Sequence, residues 1–196
     1  MSNYFEVFPK IDYDINNDGN PIQVTDTTLR FKFKQALAQN KYNYYSYTIK
    51  DGERVDILAD KYYGNSKYAW IIMLTNDIIN PYYDWPMIYA VFTAYIQSKY
   101  GSIATAISTI HHYEQIGILK AGVLIKYPEP IIIQKAVYDL ISEGVTKSDA
   151  GESIISTVSA YDYELEENEK KRHIQLIDRT YINSVLDLVN NIFRND

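Results

Sequence analysis

Cysteine is absent from the 196-residue chain, which excludes a disulfide framework, thiol catalysis and a thiolate metal site, and fits folding in a reducing cytoplasm. Glycine is scarce, eight residues in all. None falls in a Gly-x-Gly-x-x-Gly, a Walker-type phosphate loop or a Gly-x-Ser-x-Gly elbow, so nucleotide and acyl-transfer chemistry have no anchor. Of the three histidines, His111 and His112 are neighbours and His173 is remote. Adjacent residues of a strand point to opposite faces, which speaks against a metal site and leaves no metal or other cofactor implied. No apolar run approaches the ~20 residues of a membrane helix, and MSNYFEVFPK lacks the basic start and apolar stretch of a signal peptide. The expectation is a soluble, unsecreted protein. Excess positive charge is also missing: the net charge is -6 and the pI about 5.1, which disfavours nucleic acid and anionic membranes as partners. Lys170-Lys171-Arg172 is too short to reverse that, and reads as salt bridging across a hairpin.

Tyrosine is what the chain has in abundance, 20 residues, far more than catalysis could use. Tyr buries a large area with few rotors and keeps a hydroxyl for hydrogen bonding, so it serves either core packing or docking. In the cluster Tyr62, Tyr63, Tyr68, Trp70, Tyr82, Tyr83 and Trp85, Trp70 lies within the apolar run AWIIML and reads as core. Tyr82, Tyr83 and Trp85 lie in a turn and read as interface anchors. Glu164, Glu166, Glu167 and Glu169 are expected in one charged turn, solvated and mutually repelled. Without an apolar pocket to raise one pKa, they make a poor glycosidase pair and a better docking site for a basic partner. No catalytic residue is assigned.

Along the chain, residues 1–25 read as an extended arm, because Pro9, the Asn16–Gly19 turn and Pro21 all oppose helix. Leu29 to Asn40 is expected to be strand, then a helical turn. From Tyr44 to Ile49 the chain reads as extended and meets a turn at Asp51-Gly52. Val55, Leu58, Ala59 and Tyr62 then give one helical face, Gly64-Asn65 end that helix, and Lys67 to Asn76 forms a second, buried one. A third helix is expected to start at Asp84 and Pro86 and to run through Ile88, Val91, Phe92 and Tyr95 to Gly101. Ser102 to Ser108 reads as a short helix, Ile118 to Tyr127 as strand broken by Gly122, Ile131 to Gly144 as helix, and Thr146 to Glu152 as an exposed loop. Ile154 to Tyr163 and Arg172 to Ile177 read as two strands joined by the turn Glu164 to Lys171, and Ile182, Val185, Leu186, Val189 and Ile192 mark a C-terminal helix.

The strand, helix, helix order opening with DGERVDILADKYYG resembles the LysM module in the form found in contractile-tail phage proteins. The flanking NYFEVFPKIDYDI, VTDTTLRFKF, NPYYDWP, IHHYE and YDYELEENEKKRHIQLID widen the likeness: nearly the whole chain resembles the small baseplate wedge proteins of T-even-type phages. The expected fold is α+β, a LysM-like module at 44–86 with a short or displaced closing strand, set in an irregular α/β body. Residues 1–43 are its extended arm and lead-in, and 87–196 a helical and β-hairpin C-terminal region. The closing strand is expected from Tyr82-Tyr83 or from elsewhere in the chain, or the open sheet edge takes a strand from a partner.

The resemblance implies a late, non-enzymatic structural protein of the virion tail baseplate, present in several copies and assembled in the host cytoplasm. Its implied partners are other wedge proteins, including inner-ring subunits and the lysozyme-like sheath-initiating protein, and its task is joining neighbouring wedges into a six-fold ring. The arm, the C-terminal hairpin and the last helix are its candidate binding elements, with Arg54, Tyr62, Tyr63, Tyr82, Tyr83 and Trp85 as candidate partner-binding residues. In glycan-binding LysM modules the loops matching Asp51–Val55 and Ile78–Pro81 hold N-acetylglucosamine polymers. Here Arg54 brings a bulky charge to that groove, which leaves peptidoglycan binding or cell-wall hydrolysis as the alternative. A third possibility is an assembly chaperone absent from the finished particle.

Overall fold

The computed structural model describes Phe5 and residues 8–29, 44–144 and 151–192, so the lead-in at 30–40 and most of the loop at 146–152 lie outside the described residues. Among the described residues the protein mixes helices with three small antiparallel sheets, and the chain divides into two compact units, residues 1–86 with 171–196, and residues 87–170. The region expected to run from 87 to 196 therefore does not stay together. Its last stretch belongs with the first unit, because a strand from it completes that unit's sheet.

In the first unit, strands β1 (Lys10–Tyr13) and β2 (Ile22–Thr25) form a hairpin in register Lys10↔Thr25 to Tyr13↔Ile22. Its loop is tied by the Asp14 carboxylate, which accepts from the backbone N–H of Gly19 at 2.7 Å and of Asp18 at 3.2 Å. Within the stretch expected to be an extended arm, residues 10–25 thus form a hairpin whose loop is held by the Asp14 carboxylate.

Strand β3 (Tyr44–Thr48) leads into helix α1 (Val55–Tyr63), a 3₁₀ turn at Ser66–Tyr68, and helix α2 (Ala69–Thr75). Leu58 and Ala59 supply the buried face of α1. Gly64 ends that helix at φ 76°, a left-handed cap that glycine adopts without a Cβ penalty. Trp70, Ile71 and Ile72 bury α2. The sheet is closed by the chain itself: the strand His173–Ile177 pairs antiparallel with β3 from Thr48↔His173 to Tyr44↔Ile177. Neither Tyr82-Tyr83 nor a partner's strand fills that place. Alternation puts Ile174 and Leu176 of the closing strand into one apolar cluster with Ile49, Leu58, Ala59 and Ile72. Ile177 joins a second with Phe8, Trp70, Ile71, Ile182, Val185 and Val189. The last three come from the C-terminal helix Ile182–Ile192.

The second unit opens with a short run into the helix Tyr89–Tyr100, followed by Ile103–Ser108, the strands β4 (Ile110–Lys120) and β5 (Val123–Ile133), the helix Lys135–Ser142, the strand β6 (Glu152–Ser159) and the helix Ala160–Lys170. In chain order the closing strand of the first unit is β7. The helices α3 to α8 are Pro81–Asp84, Tyr89–Tyr100, Ile103–Ser108, Lys135–Ser142, Ala160–Lys170 and Ile182–Ile192.

Four expectations change here. The helix expected at Pro86 begins at Tyr89, and Asp84 instead ends α3. The strand broken at Gly122 is a hairpin whose turn, Ala121 at φ 49° and Gly122 at φ 78°, has the left-handed pair that two-residue hairpins favour. Ile131–Ile133 belong to β5, not to α6, so isoleucine's β-branching prevailed over helical spacing. The two C-terminal strands are not a hairpin: Glu164 to Lys170 is helical, and β6 and β7 lie in different sheets.

The sheet order is β5-β4-β6, all antiparallel. Gly117 sits where β4 breaks register against both neighbours. A Cβ there would collide with the Ile125 carbonyl, so the close approach requires glycine. The apolar cluster of this unit, Phe92, Ile96 and Ala106, is formed by helices, with Met87, Tyr95 and Tyr161 packed around it.

Candidate functional site

The best-defined exposed feature of the first unit is the turn from Asn76 to Trp85. Asn76 closes α2 and clasps β7: its amide donates to the carbonyls of Ile72 and Gln175, both at 2.8 Å, and accepts from the Gln175 N–H at 2.7 Å. The chain then reverses through Asp77 at φ 53°. Asn80 caps α3 by accepting from the Tyr82 N–H at 3.1 Å, and Pro81 occupies the first helical position, where no backbone donor is needed.

Asp84 reaches back to accept from the N–H groups of Asn80 at 2.8 Å and Ile79 at 3.0 Å. Those two bonds, with Lys171 as a weaker contributor, hold its carboxyl below the ordinary aspartate value. Lys171 donates to the Tyr83 carbonyl at 2.6 Å, and the Trp85 indole N–H donates to the Glu53 carbonyl at 2.8 Å. A four-residue helix that could not persist alone is thus pinned at both ends.

What this framework holds out is aromatic and apolar. Tyr82 is 86 % exposed, Tyr83 69 % and Ile79 73 %. On one side lies an apolar hollow of about 480 Å³, lined by Trp70, Met73, Leu74, Ile78 and Pro81 among others. On the other is a hollow of about 320 Å³ with a mixed lining of Asn76, Asp77, Ile78, Asp84, Lys171, His173 and Ile174. Large rigid rings on a pre-ordered turn beside an apolar depression can anchor a protein partner at small entropic cost.

The candidate residues from sequence fall into two groups. Tyr82 and Tyr83 stand on this turn. Tyr63 is spent inside the unit: its hydroxyl donates to the Ile177 carbonyl at 3.0 Å, and burial drives its pKa well above the ordinary tyrosine range. Tyr62 packs edge-on against Tyr63 and near-parallel to Tyr45, with the Arg179 guanidinium 5.5 Å above its ring. Trp85 is half-buried against the cluster of Leu58 and Ile72. Arg54 precedes α1 and makes a two-pronged ion pair with Asp56, at 2.9 and 3.1 Å, exposed to solvent. Asn76, Asp84 and Lys171 went unassigned as positioning residues, although Asn80-Pro81 with a carboxylate four residues past the cap is a legible helix-start signal.

In the second unit, two expectations about polar groups change. Glu164 is not a solvated turn residue. It is 9 % exposed, and its carboxylate accepts from Lys99 Nζ at 2.5 Å and from the hydroxyls of Tyr100 at 2.9 Å and Tyr95 at 3.0 Å. Burial pushes its pKa up, and the hydrogen bonds from Lys99, Tyr100 and Tyr95 outweigh burial and leave it below the ordinary value. The second change is at His111 and His112. A register shift between Ile110 and His112 turns the two rings together, with Nδ1 to Nδ1 at 2.8 Å; the His111 ring stacks on Tyr163 at 3.7 Å, and His112 Nε2 lies 3.0 Å from Glu114. A bulge places two successive residues against one, so the rule of opposite faces lapses there. The basic tract divides too: Lys170 pairs with Glu166 and Glu167 along its helix, while Arg172 pairs with Asp51 beside the β3–β7 sheet.

A small strand–helix–helix–strand frame that fixes an exposed aromatic turn is the architecture of a scaffold-like protein. The comparisons make the class particular. Residues 3–192 match the family described as Base plate wedge protein 53. The chain is 31 % identical over 189 residues to baseplate wedge protein gp53 of Enterobacteria phage T4, covering 93 % of this chain and 92 % of that protein. The chain therefore belongs to the base plate wedge protein 53 family, structural subunits of the virion's tail baseplate.

Proposed function

We propose that this protein works as a joining subunit that binds other wedge proteins and links neighbouring wedges into the six-fold baseplate, without catalysis. The observation that carries the reading is the turn at 76–85, where five side-chain-to-backbone hydrogen bonds hold Tyr82 and Tyr83 outward beside an apolar hollow. Tyr is among the residues that dominate interface energetics, and a turn already ordered loses little freedom on docking. The frame behind it is LysM-like in its β–α–α–β order, with the closing strand displaced to β7. That order supports a module reused as a protein-docking scaffold. Inner-ring wedge subunits and the lysozyme-like sheath-initiating protein are its proposed partners.

The test is sedimentation of purified wedge complexes with and without the protein. Conversion of single wedges to a six-fold ring by the native protein, and its loss with Tyr82→Ala/Tyr83→Ala, supports the reading. Ring formation indifferent to the protein, or pelleting of the protein with peptidoglycan instead, overturns it.

A further inference from the structure

The three-stranded sheet of the second unit ends at β5, and no described strand pairs with its outer side. Every second residue of an edge strand turns its N–H and C=O away from its neighbour, so such an edge is a template for another chain unless it is guarded. Proline guards only the middle of β5: Pro128 and Pro130 lack the donor, and that is a position proline tolerates. Residues 123–127 carry no proline, and their one charged side chain is Lys126. They begin at the Ala121-Gly122 turn, whose left-handed pair holds the hairpin ready-formed.

Side chains at this end are unusual for a free surface. Val123 is 63 % exposed, and the next two residues, Leu124 and Ile125, are exposed as well, so both faces of the edge are apolar at once. Among the described residues the helices of the unit pack mainly on β4 and β6, and most of β5 is exposed. Two lysines frame the stretch. By register, Lys120 lies opposite Val123 and Lys126 opposite Gly117, which puts them on opposite faces of the sheet. Among the described residues neither lysine forms an ion pair. In a chain of net charge -6, Lys120 and Lys126 are the only charged residues between 120 and 127, with Glu129 farther along β5 and Glu152 paired with Leu119 on the far side of β4.

We propose that residues 123–127 of β5 accept an added strand from a wedge partner, an extended segment of apolar residues flanked by carboxylates. Backbone pairing supplies the attachment, Val123, Leu124 and Ile125 the apolar contacts, and Lys120 and Lys126 the charge match that sets its register. The source of the strand rests on the wedge reading above; its chemistry rests on the edge alone.

Wedge complex lacking this protein is the probe. The native chain and Lys120→Glu/Lys126→Glu are titrated onto it, and amide exchange is followed in the free and bound states. Expected are slowed exchange confined in this sheet to 123–127, and binding about tenfold weaker for the variant with an unchanged melting temperature. Native chain that binds with exchange at 123–127 unaltered, and a variant that binds equally well, overturn the strand and leave the wedge reading intact. Failure of the native chain to bind overturns both. A concentration-dependent dimer of the chain alone, protected at 123–127, also overturns the proposal, since two lysine-framed edges would then face each other.

Discussion

The β3–β7 sheet and the β4–β5–β6 sheet are built from similarly apolar strands and end in opposite conditions. In the first, Ile174, Leu176 and Ile177 are buried between helices, and the strands close a frame with two apolar clusters. In the second, Val123, Leu124, Ile125, Ile131 and Ile132 of β5 all face solvent. The difference teaches that apolar patterning specifies burial only where another layer exists to cover it. One sheet is buried within its unit; the other leaves apolar side chains at the surface.

The largest expected effect breaks that contrast from the stable side. Leu176→Ala, at a position with no exposure, should cost about 2–5 kcal/mol in chemical denaturation, whereas Ile132→Ala, 70 % exposed, should stay within about 0.5 kcal/mol. Equal losses would erase the distinction between the sheets. Next is Glu164→Ala, which strands Lys99 and two tyrosine hydroxyls around a buried site and should cost roughly 3 kcal/mol, localised by amide exchange to α4 and α7 of the second unit.

Acid sharpens the comparison. The folded-state pKa of Glu164 is depressed, so its contribution is present above the ordinary glutamate value of 4.5 and is lost as pH falls below it. Amides of α4 and α7 should therefore lose protection before those of α1 and α2 on acid titration. Simultaneous loss would assign acid sensitivity elsewhere. The smallest effect on stability is at the docking turn: Tyr82→Ala should change the melting temperature by no more than a degree or two, the shift of about 0.5 kcal/mol or less expected of an exposed side chain, while weakening attachment to wedges. A large loss of stability would make that ring a structural element.

Much of the frame was legible. The spacing of Val55, Leu58, Ala59 and Tyr62, the Gly64 cap and the uninterrupted AWIIML announce two short helices, because local periodicity and capping act within a few residues. Tyr82 and Tyr83 were legible as exposed for the same reason, lying between Asn80-Pro81 and Pro86. Tyr62 and Tyr63 were not separable from them, since an aromatic beside a helix end has the same signature whether the next layer covers it or leaves it bare. Glu164 reads as one of a solvated run, and only α4, more than sixty residues earlier, supplies Lys99, Tyr95 and Tyr100 to bury it. The histidine pair depends on a bulge, which is a property of two strands and not of either one.

By itself the sequence determined the helices and turns of the β–α–α frame, the lack of any thiol, the acidic balance and, through its likeness to a family, the place of the protein in a tail baseplate. Only the tertiary structure decided which strand closes the frame, which tyrosines remain outside, and which sheet edge no described strand covers. Turns and helices form from residues in contact along the chain, whereas pairing Thr48 with His173 is decided by which distant apolar strand best completes a core.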